Sequence, residues 1–164
     1  MEPKSIALPI SVVDKTDVVR MQRELNKLDD FFVAAAARKA GVSIQAPRIM
    51  HMLDQTARDN KINLLEASQR KQLNDALTAI VNQAPSLNIS FASEPSPKSL
   101  EQILTWFRTN IHPQTLLQVG LQPNIAAGCV LRTPNQVFDM SLRAHFKEQE
   151  PYLAKLIGGV ASGN

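Results

Sequence analysis

The chain has 164 residues, 44% of them hydrophobic and 20% charged, the make-up of an ordinary soluble globular protein long enough for one domain or two small ones. A net charge of +3 and a pI near 9.2 are too mildly basic to imply nucleic acid without a localised patch. The single cysteine, Cys129, excludes an internal disulfide and a thiolate metal cage and fits a reducing compartment, and no apolar stretch approaches the roughly 20 residues that span a bilayer.

Residues 1 to 15 carry Pro3 and Pro9 with little periodicity and read as an extended arm that makes a poor signal peptide, so a cytoplasmic protein is the default. Asp17 is placed to cap a following helix in which Val18, Met21, Leu25, Leu28, Phe32 and Ala35 recur at spacings of three and four, ending near Gly41. The stripe lasts under three heptads, which favours packing inside a bundle over a coiled coil. Pro47 suits the first turn of a second helix, with Ile49, Met50, Leu53 and Ala57 on its buried face before Asp59-Asn60-Lys61 breaks the pattern. Asn63 and Glu66 have capping-box spacing for a third helix, with Leu65, Gln69, Leu73, Ala76, Leu77 and Ile80 along one side, stopping before Pro85. Three amphipathic helices imply a small bundle, since none buries its stripe alone.

At Leu87 the period switches to two, with Leu87, Ile89 and Phe91 alternating with Asn88 and Ser90. Ser96-Pro97 opens a helix whose Leu100, Ile103, Leu104 and Phe107 share a face, and Leu117, Val119 and Leu121 alternate again. Two apolar runs, Ile125 to Leu131 and Val137 to Phe138, flank Thr133-Pro134-Asn135-Gln136 and read as a hairpin. Ala126, Ala127 and Gly128 make room for a close backbone or helix approach. After Asp139-Met140-Ser141 the spacing of Leu142 and Phe146 becomes helical. The fold class is therefore α+β: a helical domain over 1-85, a small mixed sheet with covering helices over 86-150, its first two strands parallel and its last two antiparallel, and a tail over 151-164. That tail offers one short apolar face at Leu153, Leu156 and Ile157, and its last residues read as disordered.

No catalytic constellation is present, and no cofactor or metal is implied. His51, His112 and His145 lack the spacing of a helical zinc pair, and no phosphate-cradling glycine loop or nucleophile elbow occurs. Cys129 reads as an inert thiol in an apolar strand, and Asp139 as an N-cap or turn residue. Arg132, Arg143 and Lys147 leave open a small basic nucleic-acid-binding or other protein-interaction module, against which stands the lack of an aromatic stacking platform beyond Trp106 and Tyr152.

Leu121, Gln122, Ile125, Ala127, Gly128, Val130, Leu131 and Arg132, followed by Asp139, Met140, Ser141, Leu142 and Arg143, together resemble the C-terminal signature of the delta subunit of bacterial F-type ATP synthases, relatives of the mitochondrial oligomycin-sensitivity-conferring protein. Met140 stands where the family's Asp-Gly-Ser-x-Arg box has Gly, and fewer helices precede Leu87 than the family's helical domain contains. The resemblance implies a non-catalytic stator subunit of the peripheral stalk, acting in ATP synthesis and hydrogen ion transport. Its helical domain would bind the N-terminal helix of alpha subunits, with Val18, Met21, Leu25, Leu28 and Phe32 as the candidate head-binding face. Its C-terminal domain would bind the C-terminal end of the b subunit, with the signature residues Leu121, Ile125, Ala127, Gly128, Arg132, Asp139, Ser141 and Arg143 either structural or at the interface. It further implies a cytoplasmic protein held at the inner face of the cell membrane through the complex, without membrane insertion and without nucleic acid.

Overall fold

The computed structural model describes residues 6-37, 47-142, 145 and 147-152. Gly41, Arg143, Phe146, Leu153, Leu156 and Ile157, for which the sequence gives expectations above, lie outside these residues. Helices α1 (Lys15–Ala36), α2 (His51–Asp59) and α3 (Ala67–Gln83) precede strand β1 (Ser86–Phe91), helix α4 (Pro97–Asn110), strand β2 (Leu116–Leu121), a 3-10 turn at Pro123–Ile125, and strands β3 (Gly128–Arg132) and β4 (Val137–Ser141). The architecture is α+β, with helices first and a small mixed four-stranded sheet after them.

The contacts do not divide the chain at residue 85 alone. One compact unit comprises Met1–Ser86 with Leu100–Leu117, and the second Leu87–Ser99 with Gln118–Asn164. Most of α4 therefore belongs with the N-terminal helices.

In the first unit, α1 starts one turn earlier than its expected cap. Asp14 is the N-cap: its side chain accepts the Asp17 N–H, while the Asp17 carboxylate accepts the Asp14 N–H, closing a capping box. Val18, Met21, Leu25 and Leu28 then turn inward and join Leu53, Leu73, Leu77, Ile80 and Leu116 in one core. Helix α2 begins after Met50 rather than at Pro47, which leaves Ile49 exposed. It ends in a Schellman motif: Lys61 takes a left-handed φ of 55°, Ile62 N–H donates to the Ala57 carbonyl and Lys61 N–H to that of Arg58. Asn63 does not cap α3. Its Oδ1 accepts the Leu65 N–H in a separate turn, the helix starts after Glu66, and Leu65 is left in solvent. Arg70 is buried and sits over the Phe32 ring at 4.5 Å, donating to Asp29 and to the Leu64 carbonyl.

Residues 6 to 13 are also part of this unit. Ile6 and Val12 are buried, and three side chains hold the backbone between them. Arg108 of α4 donates to the carbonyls of Leu8, Pro9 and Val12 as well as Thr115, Gln114 donates to Ile6, and Asn60 exchanges two bonds with Ala7. Desolvation pushes the Arg108 guanidinium down to about 10, still cationic at neutral pH, and the carbonyl oxygens replace the water it loses.

The sheet order is β2-β1-β3-β4. Leu116 N–H donates to Pro85 and Gln122 N–H to Phe91, so β1 and β2 advance in the same direction and are parallel, with α4 as their crossover. β3 pairs antiparallel with both β1 and β4. The hairpin turn is closed by Thr133, whose N–H and hydroxyl both donate to the Gln136 carbonyl. Replacing Asp14 with Ala removes the α1 capping box, and urea denaturation should register a loss of about 1 kcal/mol; an unchanged midpoint would show that the core alone fixes the start of α1.

Candidate functional site

The described signature residues lie in the second unit, on the path that leads from β2 through the 3-10 turn and across the β3–β4 hairpin. Ile125, expected to begin a strand, instead closes the 3-10 turn and is buried. The chain then reverses at Ala126, whose φ of 65° and ψ of −59° together with an Ala127 N–H to Ile125 carbonyl bond make a γ-turn of the rare, strained kind. Gly128 follows with φ 87°. A Cβ built there would collide with the Met140 carbonyl and lie 3.1 Å from the Ser141 Cα. The close approach read from the small residues is thus the backbone of β4 itself. Leu142 N–H donates to Ala127, which carries the pairing past the end of β3.

Asp139 is not a helix cap. It lies within β4, opposite Val130, and its Oδ1 accepts the N–H of Ser141, which is itself buried. The Asp-x-Ser spacing is therefore a local side-chain to backbone bond that shapes the last residues of the strand. Beyond Ser141 the backbone is helical at Leu142, His145 and 147-152, as the change of period implied. Arg132 stays exposed and reaches Ser90 and Gln122, each at 3.3 Å. Ile125, Val130, Arg132, Val137 and Asp139, with Lys147 and Glu148, line an open cleft of about 640 Å³. With Gln122, which also lines it, this cleft gathers five of the signature residues.

Two of the sequence readings change. Leu121 is exposed rather than packed, because the burial of β2 is confined to Leu116 and Leu117. The candidate head-binding face is not on the surface: Val18, Met21, Leu25 and Leu28 are buried against the rest of the bundle, and only Phe32 is half-exposed. Conversely, β4 exposes Val137, Phe138 and Met140, and Leu142 follows them, a run of apolar side chains in solvent that was not singled out. The signal was present in the sequence, since neither face of VFDMS is consistently polar.

Cys129 is partly buried and its thiol is pushed up by desolvation, which disfavours the thiolate. Among the described residues no group of three or more His, Cys, Asp or Glu is placed to hold a metal, and no helix is long and apolar enough to cross a membrane.

No family model matches this chain, and no curated protein matches it.

Two substitutions report on the hairpin entrance. Gly128→Val should lower stability by about 1 to 3 kcal/mol, through both the left-handed φ and the clash with β4, read as a fall in the urea midpoint. Ala126→Gly should raise stability by up to about 1 kcal/mol by relieving the γ-turn, read as a higher urea midpoint; a fall would show that the turn carries no strain.

Proposed function

We propose that this chain is a non-catalytic stator subunit of an F-type proton-translocating ATP synthase, linking the alpha subunits of the catalytic head to the b subunit of the peripheral stalk. The observation that carries the reading is the ordered set from Leu121 through Gly128 to Arg132, followed at the right distance by Asp139, Ser141 and Arg143. The exposed apolar residues of β4 support it, since a subunit that transmits force between two partners needs recognition surfaces rather than a reactive pocket. With Val18 to Leu28 committed to the core, alpha-subunit binding falls to other surfaces of the helical unit. In this role the protein is peripheral at the cytoplasmic face of the membrane, held there by the complex, takes no cofactor and turns over no substrate alone.

The test is reconstitution. Full-length protein added to ATP synthase membranes stripped of this subunit should restore coupled synthesis, while the isolated chain hydrolyses no ATP. The double substitution Val137→Glu with Met140→Glu, placed on exposed positions, should leave the circular dichroism spectrum intact and abolish the recovery by weakening attachment to the b subunit. Failure of the wild-type chain to bind the stripped complex and restore synthesis would overturn the assignment.

A further inference from the structure

The segment from residue 6 to 13 has no regular structure, yet it is bonded at both of its sides to different helices of the first unit. On one side Asn60, at the C-terminal end of α2, accepts the Ala7 N–H at 2.8 Å and donates to the Ala7 carbonyl at 2.9 Å. On the other, Arg108 of α4 donates to Leu8, Pro9 and Val12, Gln114 donates to Ile6, and the Leu117 N–H donates to Val13. Nearly a hundred residues separate Arg108 from its acceptors in the chain. The bonds between them close a very long loop, and what they fasten is set by the arm's geometry rather than by sequence neighbours.

We infer that residues 6 to 13 act as a releasable strap, anchored to α2 by Asn60 and locked to α4 by Arg108, which holds α4 to the helical unit. The strap combines a small apolar contribution, Ile6 and Val12 in the core with Leu8 against it, with bonds that are polar and directional, so it opens as a step when those bonds are lost, whereas α1 and α3 are held by more extensive apolar burial. Ile6 and Val12 leave the core when it opens, and α4 loses its fastening while α1 and α3 remain paired. This conformational device does not depend on the stator reading, because it concerns only the helical unit's own bonds.

Native-state hydrogen exchange on the full-length protein tests it, resolved by residue. Arg108→Gln should speed exchange at Val12 and Leu117 and along α4 by about tenfold or more, with the central amides of α1 and α3 unchanged, as loss of a set of charge-assisted bonds implies. The deciding variant is Asn60→Ala, which touches α2 and the arm but makes no bond to α4: the strap requires α4 amides to exchange faster in it as well. Asn110→Ala, on α4 but bonded only to the Trp106 carbonyl, is the control and should leave the arm unaffected. Unchanged α4 exchange in Asn60→Ala would overturn the inference. So would an equal rise at the α1 and α3 core amides in Arg108→Gln, since that would report global unfolding rather than release of a strap.

Discussion

A guanidinium half withdrawn from water must be given acceptors, and Arg108 shows how that requirement shapes the chain path. Its donors need oxygen atoms where water is excluded, and the ones it finds are the main-chain carbonyls of Leu8, Pro9, Val12 and Thr115. Proline at position 9 removes one N–H that the arm would otherwise have to satisfy, and leaves its carbonyl pointing at the arginine. The arm is irregular because it serves these side chains instead of a ladder. Arg108 thereby explains why residues 100 to 117 belong with the N-terminal helices although strand β1 intervenes in sequence.

In the second unit the equivalent constraint is steric. The β4 carbonyl of Met140 occupies the space a side chain at position 128 would need, so only glycine admits the pairing that positions Asp139 and Ser141. The γ-turn at Ala126 delivers the chain to that point in the correct orientation, at the cost of an unfavourable backbone conformation. Such a cost persists only where the neighbours fix the conformation. Here they do so from both sides, with Ile125 buried before the turn and the Leu142 to Ala127 bond after it.

Much of this was legible in the sequence, for identifiable reasons. The α1 stripe, the alternation of Leu87 and Ile89, and the Thr133 to Gln136 turn are local patterns with strong periods, and each element appears where its pattern lies. Gly128 was legible as a close approach because small residues in an apolar strand have few other uses. The errors concern choices between local polar partners: Asp14 and Asp17 are both good caps, and only the backbone shows that Asp14 caps while Asp17 completes the box. Asn63 spends its side chain on a preceding turn. The role of Arg108 was not legible, since an arginine on the last turn of an amphipathic helix ordinarily faces water, and its acceptors lie at the other end of the chain.

The helix face first considered for partner binding shows why periodicity alone cannot separate a core from an interface. A stripe of Val18, Met21, Leu25 and Leu28 is equally suited to another helix of the same chain or to one from a partner, because the hydrophobic effect is indifferent to covalent connection. What decides is supply: α3 presents Leu73, Leu77 and Ile80 within the same chain, and burial against them carries no cost of bringing two molecules together. Among the described residues Val137, Phe138 and Met140 remain exposed although the neighbouring Val130 and Leu131 of β3 are buried. The hairpin thus carries a run of apolar surface that its own unit leaves in solvent, in contrast to the single exposed apolar side chains elsewhere, such as Val33 on α1, Leu65 and Trp106.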